Sequence, residues 1–518
     1  MKTPKEAFEK MKRMIKREWK LAFGAAFLIG LLVHLPAMLS DVPNHDGLAS
    51  MYFDQNMITS GRWFLTIACG FSSYFTLPWV IGLIGLFFLS CTAAAMSELL
   101  ELKRTWVIVA VSGLLVTFPS LASTFAYVFT MDGYMLSLLL TVLAVLFTKK
   151  CRYGFLAGAV CLAFSMGTYQ AYVAFAILLC IYEIVICITG DDSLKEKIKT
   201  AFNYLTMGVL GCGFYFAILQ VLLKIQGKQL ADYQGISEMG NANAASMGVL
   251  SAIKEMYYDF AAFSLRGNVL FNNAYAAVAW VILVAAAAVT LFTLCYHRKW
   301  WKKPSFFVII VLLAAGVPLA TNAILLISPN VTYHLLMRYQ WVVYPILCLA
   351  FCDRYLDGNK KATVTEWGML CAAVVLIFNY SVTDNIGYSN LQKRYEKTYA
   401  YCVRLLDRIE QTEGYYQGIP IAMIGVVGED EYPSTDITNK ITGGMIGLNG
   451  DFLLYTSPNY EAFIKNYLGA TLNFMKVEDV TEIYYSEEYV EMDGFPGPGS
   501  TKVVDGILYV KTENADRD

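Results

Sequence analysis

Apolar residues run in long stretches through most of the chain and then give way. From about Lys20 to Tyr380 these stretches alternate with short clusters of charge, whereas the segment after Tyr380 reads like soluble protein. A helix rising about 1.5 Å per residue needs roughly 20 mostly apolar residues to cross a hydrocarbon core about 30 Å thick. Eleven stretches are candidate spans: 20–38, 77–97, 106–121, 131–148, 153–167, 171–189, 203–223, 273–295, 305–327, 340–353 and 366–380. Several fall short of the full length. The first is no cleavable leader, because its apolar run is long and no small-x-small site precedes Asp41.

Two polar intervals are too long to be tight turns. In the first, 39–76, the pattern predicts an amphipathic helix from Asp46 to Ser60. Leu48, Met51, Tyr52 and Ile58 fall on one side, and Asp46, Ser50 and Asp54 on another. Asn44 or Asp46 would cap it and Gly61 would end it. The second, 225–272, holds a Gly- and Asn-rich stretch, Met239 to Asn243, and then a predicted interfacial helix over Val249–Phe263. Beyond the spans, the pattern predicts a helix at Leu391–Gln411 and strands at Ile419–Val427, Leu472–Val477 and Val503–Lys511, with turn sequence at Gly494–Gly499. The expected fold is a polytopic α-helical membrane protein of about 11 transmembrane helices with a C-terminal extracytoplasmic α/β domain. Its parts are a basic cytoplasmic N-terminus (1–19), a membrane domain (20–390) and the α/β domain (391–518).

Composition agrees: 57% of residues are hydrophobic, 16% are charged and the mean hydropathy is +0.47, against about a quarter charged in soluble domains. Charge then sets sidedness. With the N-terminus inside, the inner loops carry Lys103-Arg104, Lys149-Lys150-Arg152, Lys195-Lys197-Lys199, Arg298 to Lys303, and Arg354-Lys360-Lys361. The outer loops offer only Arg62, Lys228, Lys254, Arg266 and Arg338, as the positive-inside rule demands. Eleven spans in a cytoplasmic (inner or plasma) membrane would leave the C-terminal domain outside. The twelve cysteines lie mostly in apolar stretches and form no CxxC pair, so neither zinc nor a disulfide framework is indicated. Gly425-Val426-Val427-Gly428 lacks the spacing of a nucleotide-binding loop, and nothing suggests a nucleic-acid partner.

The candidate chemistry gathers outside. Asn44-His45-Asp46 follows the first span, with Gly61-Arg62-Trp63 fifteen residues on. An acceptor hydroxyl needs a positioned base to take its proton. Asp46 is the first choice, with Asp41 and Asp54 in support; Asp46 is equally placed as a helix cap. Arg62 and Arg338 are scarce outer cations suited to a phosphate, although Arg338 could equally snorkel at the interface and Arg62 could equally pair with Asp46 or Asp54. Asp132 opens the fourth span, where an acid is functional by default or simply solvated. Tyr169, Gln170 and Tyr172, with Asn44, His45, Asp54, Trp63 and His334, are candidates for holding a sugar or acceptor; Tyr is also common in interfacial belts. No metal is firmly required, but Asp41 and Asp46 could hold a divalent cation such as Mg or Mn.

Taken in order, Asn44-His45-Asp46, Ser60-Gly61-Arg62-Trp63, Phe118-Pro119, Asp132-Gly133-Tyr134, Tyr169-Gln170-Ala171-Tyr172, the Arg338 segment and the ending Pro498-Gly499-Ser500…Val504-Asp505-Gly506 resemble the GtrII-type glucosyltransferase family. The resemblance implies a GT-C-like multispan bundle with an acidic first external loop. It implies a glucosyl donor on polyprenyl phosphate, such as undecaprenyl phosphate glucose, and an acceptor such as bacterial O-antigen or another surface polysaccharide. It also strengthens Asp46 as the base of an inverting displacement. Two other classes compete: a lipid-linked glycan flippase, which should carry broken helices or polar groups near midmembrane, and a non-catalytic assembly protein.

Overall fold

The computed structural model describes residues 3–44, 46–75, 77–191, 193–231, 249–300, 304–327, 331–356, 360–424, 445, 447–448 and 457–512. His45, Met239–Asn243, Asn330 and Gly425–Gly428 lie outside them. Helices dominate. In chain order they are α1 (Pro4–Met14), α2 (Arg17–Leu39), α3 (Gly47–Ser50), α4 (Leu65–Cys69), α5 (Pro78–Leu99), α6 (Thr105–Thr117), α7 (Pro119–Ala126) and α8 (Val128–Lys150). There follow α9 (Gly154–Thr168), α10 (Val173–Thr189), α11 (Leu194–Gln226), α12 (Val249–Arg266), α13 (Ala274–His297), α14 (Pro304–Thr321), α15 (Ile324–Ile327), α16 (Val343–Tyr355) and α17 (Lys360–Glu410).

Among the described residues, seven helices are long and apolar enough to cross a membrane. A bent pair, α6 and α7, makes up to eight; it turns by 46° at Phe118-Pro119, where the proline ring clashes with a continuing helix. The eleven predicted stretches all fall on helix, but α9, α16 and the described part of α14, Val308–Thr321, are too short to count among these seven. The chain is a membrane-type helical protein. Eleven crossings and the sidedness remain expectations.

Two compact units form. The first comprises Met1–Leu39, Tyr52–Asn385 and Gly444–Ile446; the second comprises Ser40–Met51, Ile386–Gly443 and Gly447–Asp518. Within the first, α2, α5, α6, α8, α9 and α11 pack as neighbours. Small residues set the spacing, as is usual between apolar helices. At Gly158 of α9 a Cβ would sit 2.5 Å from the Ala144 carbonyl oxygen of α8. Helix starts follow their caps. The Ser193 hydroxyl accepts the Glu196 N–H at 3.3 Å and Asn273 Oδ1 accepts the Ala276 N–H at 2.9 Å.

The second unit holds a four-stranded sheet, ordered β2-β1-β4-β3, with β1 at Pro420–Ile424, β2 at Asn473–Phe474, β3 at Thr501–Val504 and β4 at Ile507–Lys511. β1 runs parallel to β2 and β4, and β3 antiparallel to β4. Ile421, Met423, Leu508 and Val510 bury one sheet face against Cys402, Leu405 and Ile409 of α17 and against Tyr460 and Phe463.

Three local expectations change. Val503–Lys511 is not one strand. Asp505 and Gly506 take φ of 48° and 79°, the two left-handed positions of a tight hairpin turn, and split it into β3 and β4. Leu472–Val477 contributes only two strand residues before a helix starts at Val477. The helix predicted from Asp46 to Ser60 stops at Ser50. Tyr52 and Gln55 have φ of 62° and 54°, which a right-handed helix cannot accommodate. The interval read as one external loop therefore divides: Ser40–Met51 belongs with the second unit, where Leu48 enters the core, and Tyr52 onward belongs with the first.

Candidate active site

Gly61 is in the left-handed region at φ 75° and closes a 3₁₀ turn over Ile58–Ser60. The chain then doubles back, with the Arg62 N–H bonded to the Met57 carbonyl at 3.1 Å. This bend lays Gly61-Arg62-Trp63 against the turn between α9 and α10. The Phe64 N–H donates to the Gly167 carbonyl at 2.7 Å. Gln170 Nε2 donates to the Ser60 carbonyl at 3.0 Å and to the Tyr215 hydroxyl at 3.2 Å, and that hydroxyl donates to the Gly61 carbonyl at 3.1 Å. Trp63 packs over Gly167, where a Cβ would lie 2.5 Å from its ring, and edge-on to Phe164. Two motifs about a hundred residues apart in sequence are thus clasped together.

Arg62 stands above the result. Its Nη1 donates to the Tyr134 hydroxyl at 3.1 Å, and its guanidinium lies 5.4 Å from the Tyr169 ring. Tyr134 and Tyr169 stack at 4.2 Å, Tyr172 meets Tyr169 edge-on at 5.1 Å, and Tyr339 follows at 6.1 Å from Tyr172. The sequence flagged Tyr169 and Tyr172. It did not flag Tyr339 or Tyr215, which no local pattern separates from interfacial tyrosines. The Tyr169 hydroxyl and Trp63 Nε1 are buried with no hydrogen-bond partner among the described residues, a costly state in a protein that binds nothing there.

Asp132, on the first turns of α8, is buried. Its Oδ1 accepts the Gly133 N–H at 2.9 Å, and the Ser72 hydroxyl bonds the carboxylate as well. The Cys69 thiol is within electrostatic reach of both Asp132 and Arg62, so opposite charges flank α4. Asp54 accepts the Asn56 N–H at 3.0 Å, an Asx turn that shapes the same loop.

Arg338 is buried in a different way. Nη1 and Nη2 each donate to Asp259 of α12 at 2.7 Å, Nε donates to the Tyr333 carbonyl at 3.1 Å, and the guanidinium rests 3.7 Å from the Tyr333 ring. Sequence reasoning missed Asp259, which sits among Tyr257, Tyr258 and Phe260 with nothing to mark it. His334 precedes the short helical turn Leu335–Met337 and is half-buried. Asp384 of α17 was also missed: it is fully buried, and neither carboxylate oxygen has a partner among the described residues.

In the second unit, Asn44 Oδ1 accepts the Gly47 N–H at 2.7 Å and starts α3. Asp46 stands exposed at the N-cap position without a side-chain cap bond, and Asp41 is exposed near Tyr395. No group of three or more His, Cys, Asp or Glu side chains comes together among the described residues. The first unit therefore offers a cation, a buried carboxylate and a wall of aromatic faces, the chemistry that holds a sugar phosphate.

No curated protein matches the chain. The glucosyl transferase GtrII family, however, matches residues 35–351. That stretch contains Arg62, Asp132, Asp259, Arg338 and the whole tyrosine wall. Spanning well over half of the sequence, the match shows that this chain belongs to the glucosyl transferase GtrII family and is a glycosyltransferase.

Proposed function

We propose that the chain transfers a glucosyl residue from a polyprenyl-phosphate carrier to a cell-surface glycan on the outer side of a cytoplasmic membrane. The observation that carries this reading is the Arg62 cluster: a guanidinium held by two phenols, Tyr134 and Tyr169, beside a buried tyrosine hydroxyl with no partner among the described residues. Arg62 would take the phosphate of the donor, and the tyrosine faces would take its sugar. Nucleotide sugars are made in the cytosol and do not cross a bilayer, so an outward-facing transferase needs a donor that the membrane itself delivers.

In the reaction, an acceptor hydroxyl oxygen attacks the anomeric carbon. The bond from that carbon to the phosphate oxygen breaks, polyprenyl phosphate leaves with the electron pair, and the anomeric centre inverts. A carboxylate takes the acceptor proton. Asp132 is set aside for that role because it is buried, where an incoming acceptor hydroxyl reaches it less readily than an exposed carboxylate. It serves better as the fixed counter-charge of this region. Asp46, exposed and following the first span, is assigned the base role from its exposure and its place in the sequence. A divalent cation is not part of this mechanism.

The test is transfer of radiolabelled glucose from polyprenyl-phosphate-glucose to glycan by the purified chain. Arg62→Ala should lose transfer through a raised donor KM, and Asp46→Asn should lose kcat at near-normal KM. Full activity of a folded Asp46→Asn variant would remove Asp46 from the chemistry. Unchanged donor KM in Arg62→Ala would remove the phosphate role.

A further inference from the structure

At the other end of α8 and α10 from the tyrosine wall, a second polar chamber opens. It measures about 540 Å³ and is walled by the ends of α8, α10 and α16 and the start of α11. Lys149 and Arg354 in its wall are committed. Lys149 Nζ bonds Glu183 at 2.9 Å and Glu101 at 3.2 Å, and Arg354 Nη1 bonds Glu101 at 3.0 Å. Arg152 and Lys199 are different: both line the chamber, both are exposed, and neither makes an ion pair among the described residues. Glu183, 5% exposed, has one carboxylate oxygen on Lys149 and the other, Oε1, buried with no partner among the described residues. A ligand that answers this wall brings an anion for Arg152 and Lys199 and a hydroxyl donor for Glu183.

The chamber does not end in solvent alone. Tyr204 also lines an apolar groove of about 560 Å³ that continues between α10 and α11, from Ile184 along to Val173. At about 1.5 Å per residue, those eleven steps along α10 give roughly 16 Å of hydrocarbon-lined path. Anion, hydroxyl and hydrocarbon chain belong together in one kind of molecule.

We propose that this end of the bundle is a specific site for an anionic glycerophospholipid with a hydroxyl-bearing headgroup, of which phosphatidylglycerol is the simplest. Its phosphate sits between Arg152 and Lys199, a headgroup hydroxyl donates to Glu183 Oε1, and one acyl chain lies in the groove beyond Tyr204. The site is separate from the transferase centre, and it stands or falls independently of the donor assigned there.

The experiment titrates the full chain in detergent with phosphatidylglycerol, with phosphatidylcholine of the same chains, and with glycerol phosphate alone, reading binding by native mass spectrometry. Arg152→Ala/Lys199→Ala should weaken phosphatidylglycerol binding about thirtyfold, at about fivefold per basic contact. Gly208→Phe is the second variant. A Cβ at Gly208 meets nothing within 4 Å, so the ring fills the groove without disturbing a helix contact, and it should weaken the lipid while leaving glycerol phosphate untouched. Both variants should keep basal glucosyl transfer, which serves as the folding control. Phosphatidylglycerol binding no tighter than phosphatidylcholine would overturn the proposal. So would unchanged binding in the double variant, or glycerol phosphate binding as tightly as the lipid.

Discussion

Replacing Asp259 by alanine removes the one carboxylate that, among the described residues, is paired with the Arg338 fork. Arg338 is 7% exposed, and its two Nη atoms each give Asp259 a 2.7 Å bond. Breaking a buried pair from one side costs about 3–5 kcal/mol, because the remaining charge stays buried and alone. Two features reduce that here. The Asp259 side chain is 21% exposed, so water can reach the vacated fork, and Arg338 keeps its Tyr333 carbonyl and its ring contacts. About 2 kcal/mol is the expected loss, which is roughly 2–3 °C in Tm for a unit of this size. Thermal unfolding in detergent, followed by tryptophan fluorescence, reads it. A double-mutant cycle with Arg338→Met isolates the pair and should give a coupling above about 1 kcal/mol. A coupling near the few tenths typical of exposed ion pairs would refute the claim that Asp259 holds Arg338. The same variant separates the two arginines in function. If the donor phosphate used the Arg338 fork, it would compete with Asp259, and Asp259→Ala would lower the donor KM. With the phosphate on Arg62, the donor KM stays where it was, and that is the outcome expected.

Gln170→Ala removes the bond to the Ser60 carbonyl of the first loop and the bond to the Tyr215 hydroxyl of α11. It should cost about 2 kcal/mol and lower transfer more than stability explains, read as kcat/KM against Tm. Gly158→Ala forces α8 and α9 apart and should cost about 1–3 kcal/mol by the same thermal assay. Burial pushes the Glu101 carboxyl up, but Lys149, Arg354 and Lys150 outweigh it and hold the group down to about 2. Its stabilisation is therefore fully present above the unfolded value near 4.5 and is lost as pH falls from there through about 2. Glu101→Gln should flatten Tm against pH over that window.

Periodicity located the helices well because the dominant energy is crude: a run of leucine, valine and phenylalanine is helical wherever hydrocarbon or protein covers it. It failed where one residue decides. Nothing in the alternation of Val503–Lys511 shows that Asp505 and Gly506 reverse the chain, although their order is a turn signal on its own. The helix proposed from Asp46 read Tyr52 and Asp54 as two faces of a spiral; the left-handed backbone at Tyr52 and Gln55 ends it. Arg62, Trp63, Tyr169 and Gln170 were legible as scarce polar residues between apolar runs. Their joining was not, since it depends on the Phe64 to Gly167 and Gln170 to Ser60 bonds across distant segments. Asp259 and Asp384 stayed hidden for the opposite reason: each is a lone acid whose meaning comes wholly from what surrounds it.

The contrast between the two arginines bears on how the centre can work. Both are outer cations by sequence; Arg338 is forked onto the Asp259 carboxylate, and Arg62 meets the Tyr134 hydroxyl and the Tyr169 ring. A guanidinium already paired with a carboxylate gains little from a phosphate, because the new contact replaces one of similar strength. Arg62 lies against the wall of Tyr134, Tyr169 and Tyr172, where a low dielectric strengthens the interactions of a charge. A phosphate leaving group develops negative charge as the anomeric bond breaks. Catalysis is served by a cation whose interaction can grow during that step; in the function proposed above that cation is Arg62, while Arg338 and Asp259 tie α12 to the Tyr333 segment.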